Sequence, residues 1–467
     1  MKGARAPYPN YRDTTLSWLD AVPAHWCTLP NRALFTEAAE RGHPAEELLS
    51  VTIGQGVVPQ STLIRSGTSK DTSNDDRRQY KLVRRGDLAY NKMRMWQGAV
   101  GCSDRQGIVS PAYIVVRPRR PANGRYYHYL FRTPQYVRES RRYSYGIHDD
   151  QLSLRFRDFR AMTSPVPPPD EQKAIVRFID QLTEAVERFV DNKQRLIEVL
   201  GEHRQAVIDR ATTHGLNGDV RCTPSGVEWL GEVPEHWTVQ RMKFVTHIRS
   251  GQVDPRAGTY ADMVLIAPNH IEGGTGQLGD AETAREQGAI SGKYLARAGE
   301  VLYSKIRPAL CKAVIAPYDC LCSADMYPVA PNLSRLRAQF LLYLLLSPRH
   351  TRYLVDCSMR VAMPKVNREA LGSCWVAYPS VREQDDICRR TSAELSEVGL
   401  LVNVARRGIA LIREYQTRVI ADAVTGKLDV RNGPTAEAYV EAYLDESDGC
   451  ESGVPAADDG GGASEHN

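Results

Sequence analysis

The stretch WLDAVPAHW at residues 18–26 returns as WLGEVPEHW at residues 229–237, about 212 residues later. A second pair follows the same spacing, because YKLVRRGDLAYNKMR at residues 80–94 is answered by YLARAGEVLYSKIR at residues 294–307. Solenoid proteins repeat every 20–50 residues or so, which is far shorter than this period. The sequence therefore predicts a tandem duplication of a whole domain.

A third repeated element precedes a long helical run in each half. PDEQ at residues 169–172 corresponds to VREQ at residues 381–384. The first run has apolar positions stepping by four and three residues from Ile175 through Ile179, Leu182 and Val186 to Leu200, which is a heptad pattern. At a rise of ~1.5 Å per residue, each run would form a rod of roughly 60 Å.

We therefore predict an α+β fold with two tandem mixed α/β domains, each followed by a long α-helix. The two helices are expected to pair as an antiparallel coiled coil with the domains at opposite ends, although each could instead pack on its own domain. The predicted boundaries are 1–166 for the first domain, 167–215 for its helical spacer, 216–379 for the second domain, 380–430 for its spacer, and 431–467 for a disordered acidic tail. Single helices are expected within the domains at 125–142 and 336–355.

The net charge of +4 is unevenly distributed. Residues 431–467 carry nine acidic side chains and one basic one, which leaves +12 on residues 1–430. A basic body of this kind suits a surface that faces phosphates. The 48 arginines against 12 lysines fit that use, and a GC-rich genome would produce the same ratio.

Composition also indicates where the chain works. No run of 18 apolar residues is present and no apolar stretch follows the basic N-terminus, so we expect a cytoplasmic protein that makes no membrane contact. The ten cysteines are scattered without a C-x-x-C pair, which favours reduced thiols over a metal site.

Enzyme motifs are missing from the sequence. GAISGKY at residues 288–294 is one residue short of a phosphate-binding loop and lacks its hydroxyl. Asp170, Glu171 and Lys173 superficially resemble a nuclease cluster, but they begin a predicted helix, where acidic side chains are favoured by the dipole. We therefore expect a chain without catalytic residues. The alternatives are a self-contained DNA-modifying or DNA-cleaving enzyme with an unrecognised active site, and a coiled-coil scaffold.

Taken together, the duplicated halves and their three repeated motifs resemble the specificity (S) subunit of type I restriction–modification enzymes, over residues 15–430. The resemblance implies two target-recognition domains that each read one half of a bipartite site in double-stranded DNA. It further implies that the helices fix the gap and dock two methylation (M) subunits, and that restriction (R) subunits join the complex. S-adenosylmethionine, ATP and Mg2+ are then expected in the partner subunits, with no cofactor in this chain.

Several basic and amide side chains are candidates for contact with DNA. Basic groups that recur at equal positions in otherwise divergent domains suit phosphate contacts, although an ion pair or a solvated strand end would give the same pattern. The candidates are Lys92, Arg94, Gln97, Arg141 and Arg142 in the first half, and Lys305, Arg307, Lys365 and Asn367 in the second. Residues 150–155 depart from the pattern around Lys365, which weakens that pairing.

The repeat breaks down at residues 30–75 and 240–290. If these segments read bases, the two half-sites differ and the target is not a palindrome. The histidines and tryptophans of the first repeated motif, by contrast, are expected to pin each domain to its core.

Overall fold

A computed structural model describes residues 7–65, 76–119, 123–148, 151–216, 220–358, 364–431 and 433–451. The chain divides into two compact units, and the division cuts across both long helices. The first unit comprises residues 1–192 and 407–467, and the second comprises residues 193–406.

The described residues of the first unit form twelve strands and five short helices, besides a C-terminal helix and parts of the long helices. The strands are β1 (Tyr11–Leu16), β2 (Leu19–Pro23), β3 (Cys27–Pro30), β4 (Phe35–Glu37), β5 (Leu49–Thr52), β6 (Gly56–Pro59), β7 (Lys81–Val83), β8 (Leu88–Asn91), β9 (Val100–Cys102), β10 (Gly107–Val109), β11 (Tyr113–Pro118) and β12 (Thr163–Val166). The short helices are α1 (Asn31–Leu34), α2 (Gln60–Arg65), α3 (Gly124–Phe131), α4 (Pro134–Arg142) and α5 (Phe156–Phe159).

The long helix α6 (Pro169–Thr213) leads into the second unit, whose described residues again form twelve strands. They are β13 (Cys222–Pro224), β14 (Glu232–Pro234), β15 (Thr238–Arg241), β16 (Thr246–Ile248), β17 (Gln252–Val253), β18 (Leu265–Ile266), β19 (Lys293–Ala296), β20 (Val301–Ser304), β21 (Ala313–Ile315), β22 (Cys320–Cys322), β23 (Met326–Pro331) and β24 (Trp375–Tyr378). The helices are α7 (Ala338–Leu346), α8 (Pro348–Ser358), α9 (Arg368–Ser373) and the long α10 (Val381–Val424). A further helix, α11 (Ala436–Glu451), belongs to the first unit.

Both units are built on the same frame. The four-stranded antiparallel sheet β4-β11-β8-β9 of the first unit corresponds to β16-β23-β20-β21 of the second. In each unit the strand that enters the long helix pairs with the strand after the repeated tryptophan motif, as β12 with β3 and as β24 with β15. The α+β fold and the two long helices predicted from the sequence are therefore present.

The units differ in the strands added to this frame. The antiparallel pair β7–β10 of the first unit corresponds to β19–β22 of the second, since Leu82 pairs with Ile108 as Leu295 pairs with Leu321. The first unit adds the antiparallel pair β5–β6, and the second adds β17, antiparallel to β19, and β18, parallel to β22. These additions fall within the segments where the sequence repeat breaks down.

In each unit the repeated tryptophan motif contacts the repeated Glu-Gln motif at the start of a long helix. In the first unit, the Glu171 carboxylate at the start of α6 accepts a hydrogen bond from Trp26 Nε1 (3.0 Å) and contacts His25 Nε2 (2.8 Å). In the second unit, Glu383 at the start of α10 accepts from Trp237 Nε1 (3.1 Å) and contacts His236 Nε2 (2.9 Å). The expectation that these histidines and tryptophans hold each domain to its core agrees with this geometry.

The glutamine of each Glu-Gln pair also has a structural role. Gln172 donates to Pro167 O (2.9 Å) and accepts from Asn123 N (3.0 Å), just before α3. Gln384 donates to Pro379 O (2.9 Å) and accepts from Arg337 N (2.8 Å), just before α7. Both amides are buried, so each long helix is fixed to the first turn of a domain helix.

Each long helix ends in a glycine that packs on the tryptophan of a repeated motif. Gly426, with φ of 77°, follows α10 and lies against Pro23 and Trp26 in the first unit. Gly215, with φ of 71°, follows α6 and lies against Trp237 in the second unit. Glycine adopts this left-handed conformation without steric cost, and a Cβ at Gly426 would lie only 2.3 Å from Pro23 Cδ.

Two helix predictions need correction. The helix expected at 125–142 is divided into α3 and α4, and the one expected at 336–355 is divided into α7 and α8. Pro134 and Pro348 each begin the second helix of the pair, because proline has no amide hydrogen to continue the first and suits an initial helical position.

The heptad pattern of the first long run holds only in part. Ile175, Ile179, Leu182 and Val186 are buried, but Leu196 is 43% exposed. After Val186 the four-three pattern predicts that Phe189 is the next buried residue, but the buried residue is Val190. The shift arises because a straight α-helix drifts about 20° per heptad from a strict seven-residue repeat.

The prediction of a disordered tail is wrong for its first part. In α11 the residues Ala436, Tyr439 and Val440 are buried, Tyr439 packs edge-on against Phe178 (5.4 Å between ring centroids), and Tyr443 stacks on Tyr415 (4.2 Å). The acidic composition of residues 431–467 concealed an apolar stripe at helical spacing. Residues 452–467 of the predicted tail lie outside the described residues.

Membrane-spanning segments are not found in the described ranges, where no helix combines the length and the apolar character that crossing a bilayer requires.

Candidate nucleic-acid interface

Equivalent turns in the two units carry most of the candidate side chains. In the first unit the turn joins β8 to a 3-10 helix at Met95–Gln97, and in the second it joins β20 to a 3-10 helix at Pro308–Leu310. Lys92 and Lys305 occupy the same place, directly after the strand, and both are half-buried. Arg94 and Arg307 follow two residues later and are exposed.

A second segment crosses each turn in the same way. The amide of Leu154 donates to Lys92 O (2.8 Å), and the amide of Val366 donates to Lys305 O (2.8 Å). The sequences of the two crossing segments differ, yet their backbones meet the turn at equal positions. The sequence argument against pairing residues 150–155 with the Lys365 region is therefore wrong, because a backbone hydrogen bond requires no particular side chain.

An acidic residue before each of these strands shapes the frame that supports the turn. Asp87 accepts from Arg84 N (2.9 Å) and forms a bidentate pair with Arg117 (2.8 Å for both bonds). Glu300 occupies the same place, accepts from Arg297 N (3.0 Å) and pairs with Arg249. The acidic residue that follows glycine in both halves is thus structural.

In the first unit the structure groups three of the five candidates closely. Arg94 Nη1 donates to Gln97 Oε1 (3.1 Å), and the Arg141 guanidinium lies over the Trp96 ring, 5.3 Å from its centroid. Trp96 itself is half-buried and donates to Met93 O (3.0 Å), so it supports the turn and carries Arg141 on its face.

Arg142 is engaged within the protein. Its Nη1 lies 2.9 Å from Glu139 Oε2 and also contacts the Ser17 hydroxyl. Because Glu139 is buried, this ion pair balances a carboxylate that has little access to water. Arg142 thus forms a structural ion pair while its side chain is 62% exposed, and its contact with DNA stays a prediction.

In the second unit the candidates lie on two adjoining segments. Ile306 and Lys365 form an antiparallel bridge, which places Lys365 beside the turn of Lys305 and Arg307. Lys365 is exposed. Asn367 caps α9, since its Oδ1 accepts from Ala370 N (2.7 Å). The residue is exposed, and a DNA contact through its amide group stays a prediction.

Arg368 is a member of this cluster that the sequence analysis missed. Its guanidinium lies 4.9 Å from the Tyr327 centroid and 5.5 Å from that of Tyr294, and it donates to Ile248 O (3.0 Å) and Arg249 O. Lys305 Nζ also lies over the Tyr327 ring, 5.2 Å from its centroid. A sequence signal existed, because Arg368 follows Lys365 and Asn367 directly, but the strand that carries Tyr327 is distant in the chain.

The Arg307 turn is conformationally unusual. Arg307 and Cys311 adopt positive φ values of 48° and 46° and flank the 3-10 helix at Pro308–Leu310. Positive φ is uncommon for residues with a Cβ and costs about 1 kcal/mol or more each. The turn is therefore held in place by its surroundings rather than by local preference.

Metal binding has no candidate in the described part of the chain, where no cluster of three or more histidine, cysteine, aspartate or glutamate side chains is suitably placed. The Cys320 and Cys322 thiols are buried, and burial raises the pKa of Cys320 to about 12. Such thiols stay protonated and are weak ligands.

A duplicated mixed α+β domain, with each copy followed by a long helix and each bearing a basic turn, defines the class of protein to which the comparisons point. The chain is 32% identical over 199 residues to the specificity subunit of the type I restriction enzyme EcoDI from Escherichia coli, a match that covers 43% of this chain and 44% of that subunit. The aligned part is thus less than half of the relative's length. The resemblance to type I specificity subunits is confirmed, and no protein-family model matches the chain.

A solved structure shares the fold over most of the chain. A chain from a study of complex assembly and conformational transition in the type I R-M system superposes with a TM-score of 0.62 at 15% identity, covering 87% of this chain and 99% of that one. The HsdS subunit from Thermoanaerobacter tengcongensis gives a TM-score of 0.47 at 17% identity, covering 87% of this chain and 98% of that one.

Proposed function

We propose that this chain is the DNA sequence-recognition subunit of a type I restriction–modification complex. The observation that carries the proposal is the basic turn that recurs on the same frame in both units, with Lys92 and Lys305 at equal places and an exposed arginine after each. Cationic side chains at fixed backbone positions suit phosphate contacts, which set the position of a protein on DNA without specifying bases.

The proposed target is asymmetric and bipartite. The shared frame would hold each domain on the DNA in the same way, while the strands that the units do not share, β5–β6 in the first unit and β17 and β18 in the second, would read different bases. Two readers with different base-contacting surfaces give two different half-sites.

The two long helices are proposed to pair as an antiparallel coiled coil whose length sets the gap between the half-sites. Contacts within each unit support this pairing. In the first unit Gln416 Nε2 donates to Thr183 Oγ1 (3.2 Å), and in the second unit Arg210 Nη2 donates to Glu394 Oε2 (3.3 Å). The residue later in α6, Arg210, thus contacts the residue earlier in α10, Glu394, as expected for antiparallel helices.

Catalysis is proposed to reside in partner subunits. Two M subunits would dock on the helices and supply adenine methylation with S-adenosylmethionine, and R subunits would supply ATP- and Mg2+-dependent restriction. The described residues of this chain would bind and position DNA.

The test is a genome-wide map of methylated adenines in cells that co-express this chain with its cognate M subunit, compared with cells that lack this chain. We expect an asymmetric bipartite motif that depends on the chain. If the M subunit is folded and bound yet no motif is methylated, and the purified complex shows no salt-dependent DNA binding, the chain is a scaffold. Methylation or cleavage by the isolated chain would instead indicate an enzyme.

Shortening the paired helices tests the spacer separately. Deleting one heptad, 182–188, together with the facing residues 411–417 should change the gap and leave the bases of both half-sites unchanged. A change in the half-site bases would contradict the proposed division of roles between helices and domains.

A further inference from the structure

The second unit contains a short hairpin that connects its basic turn to the helix pair. The hairpin comprises residues 271–278, closed by an antiparallel bridge between Ile271 and Leu278 and by a hydrogen bond from Glu272 N to Gln277 O (3.2 Å). Gly274 and Gly276, with φ of 72° and 74°, allow its tight reversal.

One side of the hairpin contacts both long helices. Glu272 Oε1 lies 2.8 Å from Arg406 Nη2 on α10. A Cβ on Gly274 would lie 3.2 Å from Gln205 Nε2 on α6, and a Cβ on Gly399 of α10 would lie 3.8 Å from Gln277 Nε2. A glycine within a helix costs about 1 kcal/mol relative to alanine, and Gly399 lies where the hairpin approaches α10.

The other side of the hairpin supports the Arg307 turn. Gly274 N donates to Cys311 O (2.9 Å), and a Cβ on Gly273 would lie 2.5 Å from Leu310 O. Lys312, directly after the turn, donates to Pro268 O (2.6 Å) just before the hairpin. The turn with two positive φ values is thus held by backbone contacts from a loop that is itself seated on the helices.

The seat of the hairpin on the helices is polar. Arg204 of α6 lies near both Glu272 and Arg406, and burial lowers the pKa of its guanidinium. Its Nε has no hydrogen-bond partner in the described part of the chain, and it lines a cavity of about 180 Å3 with Glu272, Gln277 and Arg406. Charge, more than apolar packing, therefore determines how the hairpin is seated.

The first unit holds its loop at Gly54 and Gln55 differently. This loop faces Glu187 and Gln416 of the long helices across a cavity of about 520 Å3, and Arg132 donates to Ile53 O (2.8 Å) and Gly54 O. Among the described residues of the first unit, no ion pair joins this loop to a long helix. The Glu272–Arg406 pair therefore distinguishes the second unit from the first.

We propose that the hairpin of residues 271–278 is a positioning element that fixes the basic turn of the second domain relative to the helix pair. Through this connection the protein holds its second DNA-reading surface at one distance along the helices, and so accepts one gap length. The inference rests on the proposed function, since a gap exists only if the chain reads a bipartite site.

The test uses the complete complex of this chain with its M subunits and compares Glu272→Ala, Arg406→Ala and the double variant. Asp262→Ala, which removes an exposed ion pair with Arg285 (2.9 Å) in the same unit, is the matched control. The measurement is the rate of methylation of duplexes that carry the mapped motif with the native gap, and with the gap lengthened or shortened by one base pair.

We expect each single variant to lower the preference for the native gap about three- to fivefold, the range that an exposed ion pair can account for. The double variant should lose no more than the larger single effect, because both changes remove one interaction. The half-site bases and the control should behave as in the wild type.

The outcomes separate the two proposals. If the wild type methylates no bipartite motif, the proposed function fails. If the wild type reads such a motif but the Glu272 and Arg406 variants keep its gap preference, the hairpin does not position the second domain. Altered half-site bases in these variants would likewise overturn the inference, because they would show that the hairpin takes part in reading.

Discussion

Replacing Glu171 by alanine should destabilise the first unit far more than the matching Glu383→Ala change destabilises the second. Glu171 is 5% exposed, and its carboxylate receives Trp26 Nε1 (3.0 Å), the Tyr8 hydroxyl and His25 Nε2 (2.8 Å). Alanine would leave the tryptophan and tyrosine donors buried without an acceptor. At about 1–3 kcal/mol for each buried unsatisfied group, the cost is about 3 kcal/mol.

Glu383 has fewer hydrogen-bond partners than Glu171, and they are more exposed to solvent. It receives Trp237 Nε1 (3.1 Å), and His236 beside it has half of its side chain exposed to solvent. In the described part of the second unit, no tyrosine hydroxyl donates to this carboxylate. One orphaned donor with access to water should cost about 1 kcal/mol.

Hydrogen exchange measured by mass spectrometry gives a free energy of opening for each unit separately, from peptides that cover 19–30 and 230–241. Glu171→Gln is the matched control, because its amide oxygen can still accept from Trp26 and Tyr8 and should cost less than alanine. Equal losses for Glu171→Ala and Glu383→Ala, or equal losses for the alanine and glutamine variants, would refute the reasoning from buried donors.

Three further predictions address binding, pH and the C-terminal helix. Lys92→Ala or Lys305→Ala in the assembled complex should each lower the slope of log K against log salt by about 0.9 without changing the methylated motif, and an altered motif would contradict a phosphate contact. Burial lowers the pKa of His350 to about 4, so between pH 6.5 and pH 4 this histidine binds a proton in the unfolded protein but not in the folded one. The free energy of unfolding should therefore be highest above pH 6.5 and should fall by up to about 1.4 kcal/mol per pH unit as the pH is lowered to 4. This slope, measured by chemical unfolding, should flatten in His350→Gln, and an unchanged slope would exclude His350 as its source. Tyr439→Ala should cost the first unit about 3 kcal/mol by hydrogen exchange while the second unit stays as in the wild type, and no loss would mean that α11 does not pack on the first unit.

The frame of each domain was predictable because its determinants are repeated in the sequence. The WLxxVPxHW motif and the Glu-Gln pair lie about 146 residues apart in each half, with Trp26 joined to Glu171 and Trp237 joined to Glu383. Because the same contact is made in both domains, the residues that form it recur as sequence motifs at equal spacing. The start of each domain and of each long helix could therefore be inferred from the sequence.

The rest depended on contacts that leave no such trace. Leu154 and Val366 meet their turns through backbone amides, which place no demand on side-chain identity. The packing of α11 depends on a few apolar residues in an acidic segment. The overall composition of that segment is acidic, so it did not reveal these apolar residues. Arg368 joins the candidate interface only because β23 brings Tyr327 beneath it.

The duplication also separates residues that build the frame from those that could read DNA. Residues repeated in both halves serve mainly structural roles, as the carboxylates of Asp87 and Glu300 do in bracing the turns that precede their strands. The exceptions are Lys92 and Lys305, which are repeated although their ammonium groups take part in no shared structural contact that the described residues show. A cation that recurs in both domains without a recurring partner in the protein is expected if both domains contact the same external ligand. Phosphate is such a ligand, because it is present in every DNA sequence. Under the proposed function, base readout would then come from the strands that the two units do not share, β5–β6 in the first unit and β17 and β18 in the second.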